Sequence, residues 1–358
     1  MIGTESPSFG RNAIFGDARG FRIQHRFFVN EPWELMAEAI ARAVGRGPDR
    51  NAAQSFRRQA EDYFRAASAA RELAVRPVLL YYAFLNLTKA LGIAKGYSGL
   101  AGKAYHGISW EPGAGRLALS RSLVKFPTGT GIHVFPELLK LLNGNGGLLG
   151  APLPLQSLLP QILPGHRLWC YATDRPERFL TVEKFILLHN SSTKGVWLNI
   201  FLNRDDVERV GLTIEKIISR ADLDEFELES SNVDTVCLQQ RKPDVYSTQP
   251  GEALVRIMDR NKNRFWETVK TASPYRKHYA YCSPPTERSR RLPQMASIYA
   301  LMFFLSSVTR YSPQNFDDLL DSKFGPFFDT FISESPMQFL YLLASDMLDR
   351  EISKPAII

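Results

Sequence analysis

Two stretches of this chain are too apolar to meet water, and they lie near opposite ends of its 358 residues. The first is 77–94, PVLLYYAFLNLTKALGIA, and the second is 295–309, MASIYALMFFLSSVT. Each reads as a helix with apolar side chains on most of its circumference, and such a helix is stable only when buried. Packing the two on each other hides both at once. The expected fold class is therefore α+β: a mostly helical core built from both chain ends, with a smaller antiparallel β-containing insertion between them. Asn86 interrupts the first run, and Ser297, Ser306 and Ser307 interrupt the second. Neither then offers the roughly 20 apolar residues of a bilayer span, and a membrane is not expected as a partner.

Around this core the pattern divides the chain into four parts. Residues 1–32 show no period and read as an N-terminal arm without the charged-then-apolar layout of a secretory leader. Residues 33–165 form the first part of the helical core, with helices at Trp33–Ala43, 52–73 and 77–94, then an irregular Gly- and Pro-rich segment holding a short helix at 135–142. In helix 52–73 the stripe is Phe56, Ala60, Tyr63, Phe64 and Ala67. Residues 166–245 carry β-hairpins, at 179–189 with Gly195–Asn203 and at 225–228 with Thr235–Gln240, and form the insertion. Residues 246–358 return to helix at 253–271, 295–309, 315–320 and 336–351, with 273–294 read as a connector.

Net charge is +7, but the excess is local. Between Arg256 and Arg291 ten basic residues face three acids, whereas from Thr309 onward four basic residues face eight acids. The basic segment also holds Phe265, Trp266, Tyr275, Tyr279 and Tyr281, a mixture suited to phosphates and stacked bases. Its candidate nucleic-acid contacts are Arg260, Lys262, Arg264, Arg276, Lys277, Arg290 and Arg291. The plainer alternative is a solvated face that balances the acidic end.

Catalytic signatures are sparse. There is no HExxH, DxDxDG or GxGxxG, and Gly99-Leu-Ala-Gly102-Lys103 lacks the spacer and hydroxyl of a P-loop. Cys170, Cys237 and Cys282 have neither zinc-ligand nor disulfide spacing and read as reduced thiols of a cytoplasmic protein. No metal and no cofactor are expected. One constellation stands apart: Tyr82, Asn86 and Lys89 recur on one face of the first apolar helix, and Arg310 and Tyr311 end the second. A lysine and an amide on an apolar helix are costly unless paired or hydrated. If the helices pack, these residues form a polar pocket. The weak catalytic candidates are Arg310, Lys89, Asn86 and His106; the structural alternative has Arg310 capping its helix and Lys89 reaching to water.

The blocks Arg76-Pro-Val-Leu-Leu-Tyr-Tyr-Ala-Phe-Leu-Asn-Leu-Thr-Lys89, His106-Gly107, Pro154-Leu-Gln-Ser-Leu-Leu-Pro and Leu305-Ser-Ser-Val-Thr-Arg310-Tyr-Ser-Pro313, in that order, resemble the YaaC-like family of bacterial proteins. The resemblance supplies positions and not a reaction. Its helical parts are similar to HEPN bundles, which implies a nuclease or a non-catalytic partner in prokaryotic antiviral defence. HEPN nucleases use Arg followed four to six residues later by His; the one such spacing here is Arg19 with His25, outside any expected helix. The leading expectation is thus a binding or regulatory subunit that recognises nucleic acid or a nucleotide, or docks on an enzyme partner. The alternatives are a metal-independent HEPN-like nuclease and a purely structural assembly subunit, with a protein partner or a second copy of the chain as its company.

Overall fold

The computed structural model describes residues 26–112, 117–127, 130–143, 151–249, 251–253, 256–257, 260, 268–272, 277–349 and 351–355. Lys262, Arg264, Arg276 and nearly all of the N-terminal arm lie outside them. The described chain opens with β1 (Arg26–Phe28), α1 (Trp33–Ala43), α2 (Pro48–Ala69) and α3 (Arg76–Ala94). Pro48 and Pro77 each stand in the first turn of their helix, where a missing N–H costs nothing. Then come β2 (Ser109–Glu111), β3 (Leu123–Lys125), α4 (Val134–Asn143), β4 (Leu153–Pro154), α5 (Leu155–Leu158) and α6 (His166–Thr173). The middle holds β5 (Phe179–Asn190), β6 (Gly195–Asn203), α7 (Arg204–Val210), α8 (Ile214–Arg220), β7 (Phe226–Ser231), β8 (Thr235–Gln240), β9 (Asp244–Val245), β10 (Val269–Ala272) and β11 (Lys277–Tyr281). The chain closes with α9 (Gln294–Tyr311), α10 (Pro313–Leu320), α11 (Gly325–Leu348) and β12 (Glu351–Ser353). The fold is α+β and mostly helical, with antiparallel sheets, as the sequence pattern implies.

These elements form two compact units. Val29–Arg175 and Ser289–Leu348 make a helical unit; Met1–Phe28, Pro176–Arg288 and Asp349–Ile358 make a sheet unit.

In the helical unit α3 is the hub, packed by α2, α9, α11, α4 and α1. Every residue of α9 from Gln294 to Val308 is buried, so the two apolar runs do share a core. Aromatic contacts fill it: Phe84 stacks on Phe339 of α11 with ring centroids 3.9 Å apart, and Tyr81 meets Phe303 edge-on at 5.3 Å. Leu73–Ala94 is long and apolar enough to cross a membrane by composition, which the run-length reading missed, but 72% of its window is buried inside the protein. Two other expectations are corrected here. The buried stripe of α2 is Ala53, Arg57, Ala60, Phe64 and Ala67, with Arg57 held by Glu61 at 2.7 Å, while Phe56 is half-buried and Tyr63 exposed. The last long helix starts at Gly325 and runs through Pro336, which the sequence reading takes as its first residue. A proline inside a helix removes one backbone hydrogen bond, and here the aromatic face of α11 packs well enough to carry the helix across it.

In the sheet unit the strand order is β10-β11-β5-β6-β8-β7, antiparallel throughout, with β9 paired to β6. Val196, Leu198, Ile200 and Leu202 of β6 point to a core shared with α7 and α8, as the period of two requires. The sequence reading makes 253–271 helical and 273–294 a connector; residues 253, 256–257 and 260 are helical, but from Val269 on β10 and β11 pair, with Val269 opposite Ala280, and extend the sheet. Strand pairing between neighbours in space overrides the helical pattern that ends at this point in the sequence. Helix α7 is also absent from the sequence reading; Asn203 caps it by accepting from the Asp206 N–H at 3.0 Å.

Candidate functional site

The site grows from the register of α2 against α3. On α3, Tyr82, Asn86 and Lys89 fall on one face at helical spacing. On the antiparallel α2, Tyr63, Gln59 and Phe56 recur with the same period and meet them rung by rung. The Tyr63 and Tyr82 ring centroids are 5.7 Å apart, Asn86 Nδ2 donates to Gln59 Oε1 at 3.3 Å, and Lys89 Nζ lies 4.9 Å from the Phe56 ring centroid.

Arg310, at the end of α9, joins the top rung. Its Nη1 donates to Tyr82 Oη at 3.2 Å and its Nε to the Ser306 carbonyl at 3.2 Å. The guanidinium carbon lies 5.9 Å from the Tyr82 ring centroid and 5.0 Å from that of Tyr311. Tyr311 is 71% exposed, so this cationic and aromatic corner opens to solvent. Of the residues grouped from the sequence, Tyr82 and Tyr311 meet Arg310, while Asn86 and Lys89 meet α2. Tyr82 and not Asn86 or Lys89 holds Arg310, because α2 occupies the side to which Asn86 and Lys89 point.

His106 comes from an irregular segment that the backbone pins in place. Tyr105 N–H donates to the Ile132 carbonyl and Val134 N–H to the Tyr105 carbonyl, each at 2.9 Å, and Phe135 N–H donates to the His106 carbonyl at 3.1 Å. Gly107 follows with φ +75°, and a Cβ there would lie 2.5 Å from Pro136 Cδ and 2.8 Å from His133 Cβ. The His106 side chain reaches α3, with Nδ1 2.5 Å from Tyr81 Oη. Burial, then the charges of Arg310 and Lys89, lower the His106 pKa below its ordinary value. His106, Arg310 and Lys89 therefore share one electrostatic neighbourhood. Burial also lowers the Lys89 pKa and raises that of Tyr81.

Chemically, the corner offers two cations, an imidazole that is neutral near pH 7 and exposed aromatic surface. Among the described residues neither Lys89 nor Arg310 has a carboxylate partner. That is the make-up of an anion site with a stacking wall. Among the described residues no group of three His, Cys, Asp or Glu side chains is placed to hold a metal. The three cysteines are buried; burial pushes the Cys237 thiol up to about 11 and Cys282 up to about 12.

The basic segment is distributed differently. Arg260 is engaged by Asp244, with Nη1 to Oδ1 at 3.0 Å, and by Glu225 at 3.1 Å. Lys277 is exposed at the start of β11. Arg290 and Arg291 belong to the helical unit: Arg291 is buried, and Arg290 donates to Ser157 Oγ at 3.4 Å. Among the described residues Arg260 and Lys277 belong to the sheet unit and Arg290 and Arg291 to the helical unit.

Sequence reasoning misses Gln59, places Phe56 and Tyr63 in an apolar stripe, and misses Tyr81 as the partner of His106. The adjacent tyrosines 81 and 82 on an otherwise apolar helix are the one signal that could have exposed this pair. A family model described as YaaC-like Protein matches residues 24–347, nearly the whole chain. No curated protein and no solved structure matches it.

Proposed function

The chain belongs to the YaaC-like family, and we propose that it is a cytosolic binding or regulatory subunit that holds a phosphate-bearing ligand, nucleic acid or nucleotide, at the corner formed by Tyr82, Lys89, His106, Arg310 and Tyr311. The observation that carries this reading is the absence of an acidic partner for Lys89 and Arg310 among the described residues. Both cations are half-buried, and an incoming anion would pair with them. Exposed Tyr311 and Tyr63 would support a base beside the bound phosphate. The basic segment contributes less: Arg260 is already neutralised and Arg291 is buried. An antiviral setting follows from the resemblance to HEPN bundles alone.

The test is a fluorescence-anisotropy titration of labelled single- and double-stranded RNA and DNA, and of a labelled mononucleotide, across a salt series. Binding should weaken linearly on a log–log salt plot with a slope of about two neutralised phosphates, and Lys89→Ala should reduce that slope. No binding of any probe at low salt would overturn the reading.

A second reading, a metal-independent nuclease, is favoured by one observation, the neutral His106 within electrostatic range of Arg310. In it Arg310 would stabilise the transition-state phosphate and His106 would transfer a proton. Cleavage of the preferred strand in EDTA, lost in Arg310→Ala, is its signature; an intact strand after prolonged incubation would remove it.

A further inference from the structure

Resting on that ligand reading, we infer that Tyr81 fixes the neutral His106 ring with its proton on Nε2, so that His106 is a third hydrogen-bond donor to the bound anion and not a base. The argument starts from the Tyr81 hydroxyl, which has a single proton to place. Tyr81 is fully buried, and its hydroxyl lies 2.5 Å from His106 Nδ1. The other phenol nearby, Tyr299, is fully buried, and among the described residues Tyr81 is the one group its hydroxyl can donate to. If Nδ1 carried the imidazole proton, Tyr81 would have to accept it and turn its own O–H to Tyr299, whose O–H would then be buried with nothing to receive it. If instead Tyr81 donates to Nδ1, it can accept from Tyr299, both phenol protons are placed, and the ring proton moves to Nε2. His106 as a residue is exposed and its Nε2 is not among the buried side-chain atoms that lack a partner, so this second nitrogen is open to a ligand.

The surroundings hold both protons where this requires. Burial raises the Tyr81 pKa, so the phenol keeps its proton. Burial and the cations Arg310, from α9, and Lys89, from α3, disfavour a second proton on His106. A neutral imidazole of this tautomer has no lone pair to offer at Nε2. It can donate a hydrogen bond to a phosphate oxygen, but it cannot activate an attacking hydroxyl, and its N–H is too weak an acid to protonate a leaving oxygen. The same inference therefore leaves His106, in the nuclease reading, a hydrogen-bond donor to the phosphate and not the group that transfers the proton.

The experiment is a long-range proton–nitrogen correlation spectrum of protein labelled with nitrogen-15 histidine, at a pH above the His106 titration. His106 is assigned by its loss in His106→Gln. The expected spectrum has Nδ1 unprotonated and Nε2 protonated, and Tyr81→Phe, which keeps the ring, turns it into a mixture of tautomers. A proton on Nδ1 in the wild type would overturn the inference. Binding of labelled single-stranded RNA supplies the second readout: His106→Gln, whose amide N–H can stand in for Nε2–H, should stay within about threefold of wild type, and His106→Leu should lose about tenfold. Equal affinities of the Gln and Leu variants would remove His106 from the ligand contact. An RNA that fails to bind a protein with the expected tautomer would sink the ligand reading and leave the Tyr81 assignment standing.

Discussion

Arg260 in the sheet unit and Arg310 in the helical unit are the same residue put to opposite uses. Asp244 and Glu225 close on Arg260, and the fork of hydrogen bonds ties the short strand β9 to the segment that carries the arginine. Nearby, Arg209 is held in the same way by Asp206 at 2.6 Å and Glu177 at 3.1 Å, and Arg178 by Glu287 at 2.7 Å. Among the described residues Arg310 meets phenols and a helix carbonyl, and Lys89 a phenyl ring. A local excess of positive charge in the sequence is thus a poor guide to which cations lack a counter-ion. What counts is whether the fold delivers acids to them, and among the described residues it does so for Arg260 and not for Arg310 or Lys89.

The contrast can be broken from either side. Arg260→Ala should destabilise the protein by about 3 kcal/mol, because it leaves a mostly buried Asp244 carboxylate without its counter-ion. Ligand affinity should be untouched. Arg310→Ala should do the reverse: about 2 kcal/mol lost in binding, some thirtyfold, with the denaturation midpoint nearly unchanged. Chemical denaturation and anisotropy on the same two variants decide it. Destabilisation by Arg310→Ala as large as that by Arg260→Ala would make Arg310 a structural cap and remove the distinction between the units.

The helical site depends on one backbone position in a way that no sheet-unit ion pair does. Gly107→Ala places a methyl group against Pro136 and the His133 Cβ at a φ that side chains resist. A cost of about 1–2 kcal/mol in stability is expected. The displaced neighbour is His106, so the His106 resonances should shift and affinity should fall with them. Unchanged His106 resonances in a destabilised Gly107→Ala protein would show that the glycine serves only packing.

How much of this was legible in the sequence follows from the length scale of each interaction. The Tyr82, Asn86 and Lys89 face is a property of one helix, and the period alone reveals it. Its proximity to Arg310 was also within reach, because two helices that cannot face water must find each other. The α2 rungs were not, since Phe56 and Tyr63 look like core until the roll of α2 puts them on its flank. The Tyr81–His106 bond joins an irregular loop to a helix, and nothing periodic announces it. The same holds for β10 and β11: Val269–Ala272 becomes a strand only because Lys277–Tyr281, itself paired to β5, lies beside it. Pro336 misled in another way, since proline favours helix starts and α11 carries it mid-helix.

Acid should separate the two regions by the smallest effect, through groups whose pKa values are all lowered but which titrate in different windows. In the sheet unit, burial pushes the Asp244 carboxyl up, but hydrogen bonds from Arg260 and Gln240 and the Arg260 charge outweigh it and hold the pKa below 3.8. A carboxylate lowered in the folded state stabilises the fold at every pH above its unfolded value, and that contribution is lost as pH falls through the folded pKa. Nothing should happen in this unit until the solution is more acidic than about pH 4. In the helical unit His106 is lowered from 6.5 by burial and by Arg310 and Lys89. Here the unfolded chain takes up a proton that the folded chain resists, so stability starts to fall as pH drops below 6.5 and stops falling once the folded ring is protonated too. Tyr81 faces the ring as a neutral phenol and adds no charge. Hydrogen-exchange protection of α3 amides, corrected for intrinsic rates, should therefore weaken slightly as pH falls below 6.5, while β6 amides hold until lower pH. The α3 step should vanish in His106→Gln. If α3 and β6 lose protection together and the step survives that substitution, the titration belongs to some other group, and His106 is not held between two unbalanced cations.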